Sequence, residues 1–270
     1  MTAAGRRGHA WAVGSIRGAP GRCQPTVWSK VYSVLDRAGR SLLPPRCILC
    51  AGAGRGPAHD LCAHCEADLP WLAVGCSRCG LPLDDPTLQE TTTGCARCRD
   101  QALAYRRCHA AFRYEFPLGE LVHGLKYDGA LANARVLGAL LAVSVAQQPV
   151  RRAVELLVPM PLHTSRLVAR GFNQSLEIAR FTAAALQMEL APRALQRRRE
   201  TASQVGLARQ ARADNVRDAF AAAESQVAGR AVALLDDVVT TGATAAEASR
   251  ALLMAGARSV DIWCVARASD

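Results

Sequence analysis

The sequence predicts an α/β protein: a parallel sheet flanked by helices, preceded by a small cysteine-bound module. Three observations predict it. From His109 onward, apolar runs of strand length alternate with helical periods, the pattern of repeated βαβ units. Ahead of them, four Cys-x-x-Cys pairs fall within 52 residues. Near the end, the apolar run Val232–Leu235 empties into an acidic, threonine-rich turn. The chain has 270 residues, 50% hydrophobic and 21% charged, which is enough for a core and argues against wholesale disorder.

Residues 1–28 are rich in Gly, Ala and Arg without periodicity and are expected to form a disordered extension. Val31–Leu43 reads as a short helix stopped by Pro44-Pro45, so residues 1–40 are set apart from the remainder of the chain. No signal-peptide core is visible. The longest apolar stretch, Val136–Ala146, is shorter than the ~20 residues a membrane span requires. A soluble, cytoplasmic protein is the expectation. The formal net charge is +10, divided as +7 over residues 1–46, −1 over 47–108 and +4 over 109–270. Nearly all of the positive charge is arginine. That suits an anionic partner, nucleic acid or phosphate, without choosing between them.

Residues 41–108 form the cysteine module. Its pairs are Cys47/Cys50, Cys62/Cys65, Cys76/Cys79 and Cys95/Cys98, with 11, 10 and 15 residues between them. Each pair is a tight knuckle that points two thiolates at one ion, and two knuckles complete a closed tetrahedral site. Two structural Zn²⁺ ions are expected. Sequential pairing would give a double ribbon and cross-braced pairing would swap the middle knuckles; the short gaps favour the first. Closed sites leave no catalytic position. A net-negative module is also a poor generic clamp for DNA. Cys23, Cys108 and Cys264 are surplus, and His59, His64 and His109 are expected to be non-ligands.

In residues 109–270, strands are expected at Ala110–Phe116, Leu156–Met160, Val232–Leu235 and Val260–Val265. Helices are expected at Gly119–Lys126, Leu131–Ala146, Asn173–Met188 and Thr244–Met254, the last ended by Gly256. The chemistry concentrates after Leu235. Two adjacent carboxylates, Asp236 and Asp237, arrive at the carboxyl end of a strand, the edge where open α/β sheets bind ligands. Thr240, Thr241, Gly242, Ala243 and Thr244 come next. Gly242 permits close backbone approach, while amides, hydroxyls and the positive end of a helix suit a phosphate. One turn thus offers acceptors for hydroxyls and donors for a phosphate, as a ribose 5-phosphate requires. It is neither a Walker loop nor a dinucleotide fingerprint.

This segment resembles the phosphoribosyl-diphosphate (PRPP) motif of type I phosphoribosyltransferases. Val158-Pro-Met-Pro-Leu-His-Thr-Ser-Arg-Leu-Val-Ala-Arg-Gly-Phe-Asn-Gln174, Leu125–Gly129, Gln204–Arg209, Asn215–Phe220 and Pro44–Cys50 resemble signatures of the competence protein F (ComF) family. The resemblance covers about residues 40–268 and implies a type I phosphoribosyltransferase fold behind a double zinc ribbon. It further implies that Asp236 and Asp237 bind the ribose 2′- and 3′-hydroxyls of PRPP and that Thr240–Thr244 hold the 5-phosphate. Pro161–Ser165 would form the pyrophosphate loop, with Arg166 and Arg170 as partners. Residues 196–212, with Arg197, Arg198, Arg199, Arg209 and Arg212, match a closing lid. Lys126 is a further candidate. Mg²⁺ would accompany PRPP.

Three functions are compatible with these readings. The first is a phosphoribosyltransferase (glycosyltransferase) of unknown acceptor. The second is a non-catalytic PRPP-binding module acting on single-stranded DNA or on a competence or helicase-type protein. The third is a zinc-ribbon adaptor with a vestigial pocket. The family implies a role in DNA uptake. A homo-oligomer stays open.

Overall fold

The computed structural model describes residues 46–54, 60–83, 94–99, 103–199 and 216–269. All of them lie in the compact unit Pro45–Asp270. The expectations for residues 1–40, Cys23, His59, Arg209 and Arg212 fall outside the described residues.

The α/β part is a five-stranded, all-parallel sheet in the order β1-β7-β6-β2-β3. Its strands are β1 (Cys108–Arg113), β2 (Leu156–Pro159), β3 (Glu189–Leu190), β6 (Ala231–Val239) and β7 (Ser259–Arg267). A separate antiparallel pair, β4 (Leu195–Arg197) and β5 (Phe220–Ala222), stands outside it. Two short helices belong to the cysteine module, α1 (Ala63–Ala67) and α2 (Ala96–Arg99). Then come α3 (Leu118–Tyr127), α4 (Leu131–Ala146), α5 (Thr164–Arg170), α6 (Gln174–Leu186), α7 (Glu224–Val227) and α8 (Ala243–Met254). No helix among the described residues is long and apolar enough to cross a membrane.

The central strands β6 and β7 are almost wholly buried because both faces are covered, so they read as continuous apolar runs. One face packs Leu235, Trp263 and Val265 against α3, α4 and α6. The other packs Leu234, Ile262 and Cys264 against α8 through Ala248 and Leu252. The helices after β2 and β6 therefore leave on opposite faces. That divergence opens a crevice between the carboxyl ends of β2 and β6, a topological switch point.

The α4–α6 crossing sets the position of α6, and Gly138 makes it possible. A Cβ there would lie 2.7 Å from the Ile178 carbonyl and 2.8 Å from the Phe181 Cβ. The same close approach lets Thr182 Oγ1 donate to the Gly138 carbonyl at 3.1 Å.

The cysteine module covers the free edge of β1. Leu72 N–H donates to the Ala111 carbonyl and Arg113 N–H to the Pro70 carbonyl, each at 2.9 Å. Trp71 bridges Phe112 antiparallel, with ring centroids 4.3 Å apart. Leu61 and Leu69 join the core beneath α4, and Asp60 pairs with Arg135 of that helix. The module thus closes an edge that would otherwise present unpaired backbone groups.

Besides shifts of one to three residues at element ends, such as the strand expected over Ala110–Phe116 and observed over Cys108–Arg113, two expectations differ from what is observed. β6 extends to Val239, so Asp236 and Asp237 sit inside the strand's last turn of pleat rather than in a turn after it. Part of the expected Pro161–Ser165 loop is helical, since α5 begins at Thr164, capped by His163 Nδ1 accepting from Ser165 N–H. Its seven residues bury no side chain, so no apolar period marks it.

Candidate functional site

The two cysteine clusters are Cys47, Cys50, Cys62, Cys65 and Cys76, Cys79, Cys95, Cys98, the sequential pairing of a double ribbon. Within each cluster, all ligand sulfurs lie within 4.8 Å of one another. Sγ–Sγ distances are 3.7 Å for Cys50–Cys62, 3.9 Å for Cys76–Cys98, 3.7 Å for Cys79–Cys95 and 3.8 Å for Cys95–Cys98. Zn–S bonds of about 2.3 Å in a tetrahedron place sulfurs about 3.8 Å apart, so the geometry fits two structural zinc sites. Backbone amides turn inward as thiolate donors: Cys65 N–H to Cys62 Sγ at 3.4 Å and Cys95 N–H to Cys76 Sγ at 3.3 Å. The hydrogen bond from Cys79 draws Cys76 down to about 4, against the opposing effect of burial. His109 is no ligand. It sits in β1 with Nε2 2.9 Å from Ser144 Oγ, and burial lowers it to about 4.

The second site is the crevice at the carboxyl ends of β2 and β6. Asp237 is 4% exposed, and Lys126 at the end of α3 reaches its Oδ2 at 2.5 Å. Burial works against the charge of Lys126, but Asp237 and then Asp236 hold it above the ordinary lysine range. Asp236 Oδ1 accepts from Ser175 Oγ at 3.1 Å and from the Asp237 amide at 3.0 Å. Burial, then the charge of Asp237, push Asp236 up to about 8. Ser175 is in place because Asn173 caps α6 and ties it to β2: Oδ1 accepts from Ser175 N–H at 3.0 Å, and Nδ2 donates to the Met160 carbonyl at 3.0 Å.

Beyond β6 the chain turns through Thr240, Thr241, Gly242, Ala243 and Thr244 around a cradle of about 70 Å³, lined also by Asp236. That volume is on the scale of a single anionic group rather than of a drug-sized ligand, which needs roughly 300 Å³ or more. Gly242 has φ +84°, the left-handed conformation glycine adopts without strain, and α8 starts immediately after it. A helix N-terminus reached through such a turn offers amides and a positive dipole end.

Arg166 and Arg170 take different places. Arg197 is stacked over the Phe220 ring at 5.5 Å. Burial, then the nearby Arg166 guanidinium, lower Arg197; Asp236 opposes this and Arg199 adds to it. Arg197 thus feels the charges of Arg166, Asp236 and Arg199 together. Arg170 instead donates to Gln174 Oε1 at 2.6 Å and lies over the Tyr127 ring at 5.6 Å, next to Lys126. Sequence reasoning missed Ser175, Asn173 and the basic residues beneath the loop, Arg97 and Arg267. Arg267 alone carried a signal, as a charge directly after the apolar run Ile262–Ala266.

Comparison with a protein-family model agrees with the cysteine module. A family model described as a double zinc ribbon domain matches residues 38–99. DNA utilization protein YhgH of Escherichia coli (strain K12) is 32% identical over 228 residues, covering 83% of this chain and 98% of that protein. Competence protein F of Haemophilus influenzae is 28% identical over 228 residues, covering 83% of this chain and 97% of its own length. Among solved structures, glutamine phosphoribosylpyrophosphate amidotransferase from B. subtilis aligns at 21% identity over 47% of this chain, with a TM-score of 0.32. Phosphoribosylpyrophosphate synthetase from Mycobacterium smegmatis aligns at 19% identity over 49% of this chain, with a TM-score of 0.32. The chain spans 24% and 34% of those two structures. With its double ribbon and α/β sheet, the chain belongs to the family of DNA utilization protein YhgH and competence protein F.

Proposed function

We propose that the crevice binds PRPP with Mg²⁺ and transfers its phosphoribosyl group to an acceptor, in the service of DNA uptake. The observation that carries this reading is the continuity of Asp236, Asp237 and the Thr240–Thr244 cradle at the switch point. The end of β6 and the turn after it together offer hydroxyl acceptors and phosphate donors, the two kinds of group a ribose 5-phosphate requires. In this reading Asp236 and Asp237 accept from the 2′- and 3′-hydroxyls. Lys126 holds the Asp237 carboxylate in place for that role through the ion pair at its Oδ2. A hydroxyl donor at Asp236 favours its ionised form, against the burial that raises it. Arg166, with Arg197 and Arg199, supplies the positive field for the pyrophosphate. Mg²⁺ would neutralise charge on the leaving pyrophosphate.

Transfer makes a bond from the acceptor to ribose C1 and breaks the bond from C1 to pyrophosphate. Positioning and charge neutralisation supply most of what such a displacement needs. The names of the relatives, DNA utilization protein and competence protein F, support the link to DNA uptake. The test is pyrophosphate release from PRPP with Mg²⁺ across a panel of nucleobases and amines. Release that depends on one acceptor and is lost in Asp237→Asn is expected. Release with none of the panel contradicts transfer and leaves binding alone.

A further inference from the structure

Arg267 closes β7 and is 1% exposed. Its guanidinium donates to the carbonyls of Cys79 at 2.9 Å, Val239 at 2.9 Å, Ala268 at 2.7 Å and Thr240. Among the described residues, all its hydrogen-bond partners are main-chain carbonyls, and none is a carboxylate. Cys79 belongs to the second cysteine cluster, while Val239 and Thr240 lead into the cradle. Arg97, on α2 between Cys95 and Cys98, brings Nη2 within 3.5 Å of the Thr241 carbonyl. Tyr105 packs on the same turn: a Cβ on Gly242 would lie 3.3 Å from its hydroxyl. The cluster is itself fixed to β1, where Cys108 N–H donates to the Ser77 carbonyl at 3.3 Å.

Three consecutive carbonyls, those of residues 239, 240 and 241, are thus drawn toward the second cluster. In a trans peptide the N–H points away from the C=O. The amides of Thr240, Thr241 and Gly242 are thereby turned to the other side, toward the cradle. Charge runs the same way. Four thiolates around Zn²⁺ leave a net charge of about −2. Arg267 and Arg97 stand between that dianion and the cradle, where a second anion would otherwise be repelled. The first cluster makes none of these contacts; its neighbours are α4 and the β1 edge.

We propose that Arg267 is a positioning residue coupling the two sites. Zinc at Cys76, Cys79, Cys95 and Cys98 and an anion at Thr240–Thr244 stabilise each other, an inference that rests on the cradle being the 5-phosphate site. Coupling between sites is reciprocal, so PRPP must tighten zinc binding at the second cluster by the same factor as zinc tightens PRPP binding.

The experiment uses the zinc-loaded full chain. Amide hydrogen exchange over residues 240–245 is followed in wild type, Arg267→Lys, Arg97→Ala and Cys50→Ser, the last opening only the first cluster. Zinc release to a colorimetric chelator is followed with and without PRPP. Exchange is expected to rise about tenfold in Arg267→Lys and severalfold in Arg97→Ala, and to hold at the wild-type rate in Cys50→Ser. PRPP is expected to slow release of one of the two zinc ions. Unchanged exchange in Arg97→Ala and in a folded Arg267→Lys overturns the proposal. An equal rise in Cys50→Ser, which would mark general loosening, also overturns it. If Arg267→Lys does not fold, Arg97→Ala decides. If PRPP neither binds nor slows release while exchange still rises in the arginine variants, the positioning role stands and the PRPP reading fails.

Discussion

Lys126 Nζ lies 2.5 Å from Asp237 Oδ2, at the point where α3 meets the carboxyl end of β6. The pair joins an element from the start of the α/β part to the strand that feeds the cradle. Its side chains are 21% and 5% exposed, so the attraction is little screened and each partner is costly to leave alone. Lys126→Met should therefore destabilise the fold by about 3 kcal/mol, with Asp237→Asn milder because Lys126 keeps the nearby Asp236. In the double variant the two costs should fall short of their sum by at least ~1 kcal/mol, read from urea unfolding.

Asp236 gives a pH signature. Burial and Asp237 raise it from 3.8 to about 8, so the folded state holds this proton more tightly than the unfolded chain does. Raising the pH between those values strips the unfolded state first, and stability falls. The slope is at most about 1.4 kcal/mol per pH unit and vanishes above pH ~8. Asp236→Asn should flatten it. Thermal unfolding of both proteins between pH 6 and pH 9 checks the difference, and an unchanged slope in the variant would refute the assignment.

Metal content makes a separate prediction. Two zinc ions per chain are expected by elemental mass spectrometry, since two sulfur clusters have tetrahedral spacing. Cys76→Ser should drop the content to about one ion. It should also raise exchange of the β1 amides, because the module covers that edge through Trp71 and Leu72.

Gly138→Ala places a methyl against the Ile178 carbonyl and the Phe181 Cβ. Neither can give way without moving α6, so a loss of about 1–3 kcal/mol is expected. Ser175 would shift with the helix, and ligand binding should weaken along with stability.

The legible parts of this protein are those written in local pattern. Four Cys-x-x-Cys pairs announce the ribbon, and alternating periods announce the sheet. Asp236, Asp237 and Thr240–Thr244 can be named because one strand and one turn carry them all. The hidden parts depend on distant contacts. Ser175 meets Asp236 across 61 residues of sequence, and Arg267 meets Cys79 across 188. No local period encodes such pairings. The sequence pattern underestimates the length of β6 because adjacent carboxylates read as a turn, whereas Lys126 and Ser175 make them tolerable inside a strand. The helix α5 escapes the pattern because it has no buried face to leave one.

The central proposal is that the end of β6 and the turn after it recognise the ribose and the 5-phosphate of PRPP. The most direct measurement is calorimetric titration of PRPP with Mg²⁺ into the zinc-loaded protein, beside an Asp236→Asn/Asp237→Asn variant of verified fold. Saturable binding by the wild type, lost in the variant, is the predicted result. No binding by the folded wild type, or equal binding by both proteins, would contradict the claim.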